Sequence, residues 1–127
     1  MAYYFSKTID KSFDDAIEHV TATLKEQGFG SISEIDVQAT MQKKLGEEFR
    51  PYKILGACNP NYAFQALQSE DKIGTMLPCN VIVQQKDDGV EVAAVDPVAS
   101  MQAVENKELG SVAQIIQQRL KLAIEML

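Results

Sequence analysis

Two short apolar runs, each bordered by a cysteine, an asparagine and a proline, constrain the fold of this chain most strongly. The first run, residues 54–58, ends in the phrase Cys58-Asn59-Pro60. The second, residues 81–83, follows the phrase Pro78-Cys79-Asn80. A continuous apolar run of this length is typical of a strand buried on both faces. The chain therefore needs two core strands, and the two similar phrases predict a shared site at their ends.

Helix caps and turn residues divide the rest of the chain into short elements. Residues 3–9 and 30–37 predict a first strand and a half-buried second strand, and Asp87-Asp88-Gly89 predicts the turn of a hairpin. Gly56, inside the first apolar run, predicts a bulge or a close backbone approach. Five polar residues stand where helix N-caps are expected: Ser12, Asp36, Asn59, Asp96 and Asn106.

The resulting element order, β-α-β-α-β-α-β-β-α-α, predicts the fold class. Helices and strands mix without the strict alternation of a doubly wound sheet, and no repeat or linker divides residues 1–127. We expect a single α+β domain, built as a two-layer sandwich in which helices cover one mixed sheet of about five strands.

Charge and hydropathy exclude several function classes. The chain has 18 acidic and 12 basic residues, for a net charge of −6, whereas nucleic-acid binding needs clustered cations. No apolar run is long enough for a membrane span, and the first residues do not resemble a signal peptide. We expect a cytoplasmic protein whose partners include neither nucleic acid nor a membrane.

Cys58 is the first candidate for chemistry. It lies directly before a predicted helix start, because Asn59 is a good N-cap and Pro60 fits the first helical position. The partial positive charge of a helix N-terminus stabilises a thiolate, which can act as a nucleophile, a metal ligand or a redox centre. The alternative is structural, since a free cysteine is among the most buried residue types.

Whether Cys58 meets Cys79 depends on the strand topology. A right-handed crossover would make the two core strands parallel and put the thiols at opposite ends, and we favour this arrangement. Antiparallel neighbours would let the thiols approach. We expect reduced thiols rather than a disulfide, and neither a cofactor nor a metal, because two cysteines and the distant His19 do not supply four zinc ligands.

Four polar residues complete a predicted ligand-binding set. Arg50 can bind a carboxylate or a phosphate, or form a salt bridge with a nearby acidic residue. Asn59 and Asp96 can contact a ligand or serve only as caps, and Asn80 needs a partner if it is buried. The predicted set is Arg50, Cys58, Asn59, Cys79, Asn80 and Asp96.

The motifs resemble an uncharacterised bacterial and archaeal family, the domain of unknown function numbered 302. The resemblance covers roughly residues 28 to 100, and the segments that carry it are Gly28-Phe29-Gly30, Glu34-Ile35-Asp36-Val37, residues 49–60, Ala66-Leu67, Ile73-Gly74, residues 77–81 and Asp96-Pro97. It implies a compact α+β fold that is typically dimeric and has no settled activity.

Two functions follow as hypotheses. The first is a small homodimeric module that binds a small polar ligand in a pocket near the two cysteine–asparagine phrases, with Ile115, Leu122 and Met126 of the last helix supplying the dimer contact. The second is thiol chemistry, meaning redox, persulfide or metal handling by Cys58 or Cys79. A hydrolase or lyase built on Asp96 or His19 has no support from residue spacing.

Overall fold

The structure, a computed structural model, describes residues 2–127. Strands alternate with helices as far as α3, and a hairpin and two helices then complete the fold. The elements are β1 (Tyr4–Ile9), α1 (Phe13–Glu26), β2 (Gly30–Asp36), α2 (Val37–Leu45), β3 (Tyr52–Cys58), α3 (Pro60–Ser69), a 3₁₀ turn (Ile73–Met76), β4 (Cys79–Lys86), β5 (Gly89–Val95), α4 (Pro97–Ser100) and α5 (Lys107–Glu125).

Across residues 2–127 the strands form one five-stranded sheet in the order β1-β5-β4-β3-β2. The prediction of an α+β sandwich is confirmed, but the prediction of a mixed sheet is wrong, because every neighbouring pair is antiparallel. The connection from β3 to β4 does not cross over the sheet to produce a parallel pair. It returns through α3 and the 3₁₀ turn at the end where β3 finished, so β4 starts beside the last residues of β3.

The core lies between one face of this sheet and the helices α1 and α5. Val81 and Val83 of β4 are fully buried against α1, which contributes Val20, and against α5, which contributes Leu120. Successive side chains of a strand point to opposite faces, so the other face carries the intervening residues. That face is more exposed.

The strand β2 is more exposed than the sequence pattern indicates. The pattern predicts a half-buried strand, yet every residue of β2 is exposed, because β2 is an edge strand that pairs only with β3 in the described chain. A bulge interrupts this pairing between Ser31 and Ser33, opposite Gly56. A side chain at Gly56 would collide with Ser33 Oγ and lie 2.7 Å from Pro78 Cγ, which confirms both a bulge and a close approach at this glycine.

Each of the five predicted N-cap side chains accepts a hydrogen bond from a backbone N–H of its own helix. Local chemistry therefore sets where each helix begins. The prediction missed the 3₁₀ turn that buries Ile73 in a segment expected to be a loop. In the part of the chain that the structure describes, helices fall short of the length and apolar character needed to cross a bilayer.

Candidate functional site

An apolar cavity of about 330 Å³ lies at the end of the sheet where β3 stops and β4 begins. The antiparallel register pairs Ala57 with Cys79, so Cys58 and Cys79 come to the same end of the sheet. Both line this cavity, which we call the thiol cavity. The sequence prediction that the two cysteines lie at opposite ends is therefore wrong, for the topological reason given above.

Helices α3, α4 and α5 and the 3₁₀ segment enclose the thiol cavity on its other sides. Its walls are mostly aliphatic and aromatic, and include Phe29, Ile32, Ala57, Tyr62, Ala63, Ala66, Leu67, Leu77, Met101, Leu109, Val112 and Ile116. Ile32 and Leu67 are 64% and 44% exposed, so the cavity opens to solvent on that side. The site is solvent-reachable, as predicted, but its surface is apolar where a polar pocket was expected.

The two thiols differ in their surroundings. Cys58 is partly exposed, whereas Cys79 is buried. Burial raises the pKa of the Cys79 thiol from its ordinary value of 9.0 to about 11, and charge repulsion from Cys58 acts in the same direction. Cys79 therefore remains protonated at neutral pH, and Cys58 is the more accessible thiol of the pair.

Asn59 stands at the boundary between β3 and α3. Its Oδ1 accepts a 3.4 Å hydrogen bond from the Tyr62 N–H, and Pro60 occupies the first turn, as the sequence predicted. The Asn59 side chain also lines the thiol cavity. Its capping role does not use the amide nitrogen, which leaves Nδ2 available for another partner.

Arg50 and Asn80 do not reach the thiol cavity. The Arg50 Nε donates a 2.9 Å hydrogen bond to Gln84 Oε1, and the guanidinium lies 4.4 Å from the centroid of the Phe49 ring. Gln84 in turn donates a hydrogen bond to Glu91, so Arg50 belongs to a polar chain on the more exposed sheet face. The predicted salt bridge of Arg50 does not form within residues 2–127, where the ion pairs are Lys53–Glu34 and Lys72–Asp71.

Asn80 is exposed and lines a shallow depression on that same sheet face. It follows Cys79 in β4, so the alternation of side chains turns it away from the cavity. The two cysteine–asparagine phrases therefore differ in the structure. The first places both of its polar residues at the cavity, while the second places only its cysteine there.

Asp96 is a structural residue at the start of α4. Its carboxylate accepts hydrogen bonds from the N–H groups of Val98 and Ala99, at 3.0 and 3.3 Å, and from the Gln117 amide of α5. The side chain is buried, and these donors stabilise its negative charge. Pro97, rather than Asp96, lines the thiol cavity.

Sequence reasoning missed two residues beside the cavity, Arg119 and Tyr62. The apolar spacing of α3 indicates only an inward-facing position for Tyr62, although its ring lies 5.4 Å from the Arg119 guanidinium carbon. A signal for Arg119 was present in the sequence. It is one of two arginines, and positions three and four residues away on its helix carry no acidic side chain with which it could pair.

No group of three or more His, Cys, Asp or Glu side chains is arranged to hold a metal ion between residues 2 and 127. The chemistry that the cavity offers is therefore apolar contact, two thiols and one amide.

Comparison with known proteins gives a family and a fold but no activity. A family model described as "Domain of unknown function DUF302" matches residues 5–127. A crystal structure of an uncharacterized conserved protein DUF302 from Bacillus stearothermophilus is similar to this chain, with a TM-score of 0.90, 25% sequence identity and coverage of 98% of each chain. No curated protein matches the chain.

Proposed function

We propose that this chain, which belongs to the family Domain of unknown function DUF302, is a ligand-binding module that holds a small, mostly apolar molecule in the thiol cavity. The observation that carries the proposal is the cavity itself, with a volume of about 330 Å³ and one side open to solvent. An engineered apolar cavity of about 150 Å³ is known to hold benzene, so this one suits a larger aliphatic or aromatic body.

The elements around the cavity favour binding over simple packing. The valines of β4 and β5 that face the helices are fully buried, which indicates that the central core is closely packed. The gap occurs instead where three helices meet the strand ends, a common place for ligand pockets. Short side chains, Ala63 and Ala66 of α3, face it. Longer residues at these positions would fill the space.

The proposal predicts that a bulky side chain at Ala63 blocks binding. We expect wild-type protein to bind 1-octanol at one site in isothermal titration calorimetry, and Ala63→Phe to bind it at least about tenfold more weakly. Ala103→Phe is the matched control, because Ala103 is exposed and lies outside the cavity wall. Equal affinity of Ala63→Phe and wild type would refute the assignment of ligand to this cavity.

The same proposal includes a homodimer and a cytoplasmic location. Ile115, Leu122 and Met126 are exposed on α5 at spacings that place them on one stripe of the helix, which supports an apolar contact between two copies. The two cysteines are free thiols, and free thiols persist in a reducing compartment.

Thiol chemistry at Cys58 is a second candidate function, favoured by the convergence of both cysteines on one cavity. Cys58 would be the reacting group, since Cys79 is buried and protonated at neutral pH. We expect N-ethylmaleimide to label Cys58 in the folded protein and Cys79 only after unfolding, as read by peptide mass spectrometry. If neither thiol is labelled before unfolding, this candidate fails.

A further inference from the structure

A polar hollow of about 480 Å³ adjoins the thiol cavity on the surface of the protein. It is lined by Asn59, Asn61, Tyr62, Phe64, Gln65 and Arg119, and we call it the Arg119 hollow. Asn59 and Tyr62 also line the thiol cavity, so these two side chains form the boundary between the two spaces. A single elongated molecule could therefore occupy both.

Arg119 supplies a cation without a carboxylate partner. Neither of the ion pairs found within residues 2–127 includes it, although acidic residues outnumber basic ones in the chain. Its guanidinium lies against Tyr62, with Cζ 5.4 Å from the ring centroid. The aromatic face fixes the position of the guanidinium at the hollow and leaves its N–H groups to bind an acceptor.

Asn59 contributes a second, more enclosed donor. Its side chain belongs to a residue only 8% exposed, and in the described part of the chain Nδ2 donates no hydrogen bond. Beside Gly28, whose φ of +87° favours glycine, a Cβ atom would lie 3.0 Å from Asn59 Nδ2 and 3.3 Å from Arg119 Nη1. Two N–H donors from different elements therefore converge on one point that no side chain occupies.

The start of α3 adds a positive field of the same sign. This helix has ten residues, Pro60 has no N–H, and the N–H of Asn61 has no acceptor within the helix. Backbone amides in this position and the helix dipole favour an anion. The site has one formal cation, which matches a single negative charge, and the planar guanidinium suits a carboxylate.

We propose that the ligand of this protein is a small aliphatic carboxylate, whose apolar body lies in the thiol cavity and whose carboxylate is bound by Arg119 and Asn59 in the Arg119 hollow. This inference rests on the proposed function and adds to it the chemical class of the ligand. Once an apolar body covers the hollow, the Asn59 amide nitrogen needs an acceptor, and the carboxylate oxygen supplies it.

Calorimetry with octanoate and 1-octanol at neutral pH tests the inference, because the two probes differ in their head group. We expect wild-type protein to bind octanoate at least about tenfold more tightly than 1-octanol. Arg119→Met should lose at least about tenfold in octanoate affinity and keep its 1-octanol affinity within about twofold. Arg50→Met is the matched control, because it removes the other arginine, which is outside both spaces, and it should change neither affinity.

The outcomes separate this inference from the proposed function. If 1-octanol binds but octanoate binds no more tightly, or if Arg119→Met leaves octanoate affinity unchanged, the carboxylate site is wrong and the apolar site stands. Loss of both affinities in Arg119→Met assigns Arg119 a structural role and also overturns the inference. Full octanoate affinity in Ala63→Phe shows that the apolar body is not in the cavity. If neither probe binds wild type, both proposals fail.

Discussion

At the scale of single residues, the burial of Cys79 makes the stability of the protein depend on alkaline pH. Its pKa is raised to about 11 in the folded protein, while the thiol of the unfolded chain ionises near 9.0. Below pH 9 both states are protonated and the contribution is complete. Between pH 9 and 11 the unfolded state loses a proton that the folded state keeps, so stability falls as pH rises.

We expect this effect to reduce the free energy of unfolding by about 2 kcal/mol between pH 8 and 10.5. Urea unfolding of wild type and Cys79→Ala at both pH values measures it, because other titrating groups are common to the two proteins. The wild type should lose about 2 kcal/mol more than the variant over that interval. Parallel losses in the two proteins would show that Cys79 ionises equally in both states.

Residue-level predictions from the sequence succeeded where a residue acts on its own neighbours. The capping role of Asn59 and the close approach at Gly56 follow from local backbone chemistry, and both were predicted. The position of Arg50 was not, because its partner Gln84 lies 34 residues away on another strand. Its interaction with that amide depends on strand register, which no local pattern of charges reveals.

At the scale of elements, Asp96 joins two helices. Its carboxylate caps α4 and also accepts hydrogen bonds from Gln117 in the middle of α5. Asp36 is a simpler cap, since it is exposed and its side chain accepts a hydrogen bond only from Ala39 of its own helix, α2, among residues 2–127. The two aspartates thus compare a cap that links elements with one that serves a single helix.

Asp96→Ala should destabilise the protein by about 2 to 3 kcal/mol, because it removes the cap and leaves the Gln117 amide without its acceptor. Asp36→Ala should cost about 0.5 to 1 kcal/mol. Urea denaturation at neutral pH measures both values. Similar losses for the two variants would mean that the contact with α5 contributes nothing to stability.

Element boundaries were largely predictable, while strand direction was not. Caps such as Ser12 and Asn106 depend on neighbouring residues, and the hairpin of β4 and β5 follows from its turn sequence. The direction of β4 relative to β3 depends on how the segment between them packs against α5 and the sheet. That direction decides whether the two cysteines meet, so the composition of the cavity could not be predicted.

At the scale of the whole molecule, the exposed stripe on α5 predicts association. We expect light scattering after size-exclusion chromatography to give twice the mass of one chain. Leu122→Glu should shift the protein to the monomer, because it places a charge in an apolar contact. Ile35→Glu is the control, since Ile35 is similarly exposed but lies on the edge strand β2.

A monomer at all concentrations would contradict the dimer. Dissociation by Ile35→Glu but not by Leu122→Glu would keep the dimer and move the contact to the sheet edge. Neither residue lines the thiol cavity, so ligand affinity in each variant reports whether association and binding are independent.

The partly exposed sulfur of Cys58 gives the protein a built-in chemical handle on its own pocket. Disulfide-bearing fragments exchanged onto that sulfur would be retained according to how well their tails fit the enclosed space. Mass spectrometry of the captured adducts could then rank scaffolds by the fraction of each that stays attached. A fold that offers no recognisable reaction could in this way be used to select its own reagents.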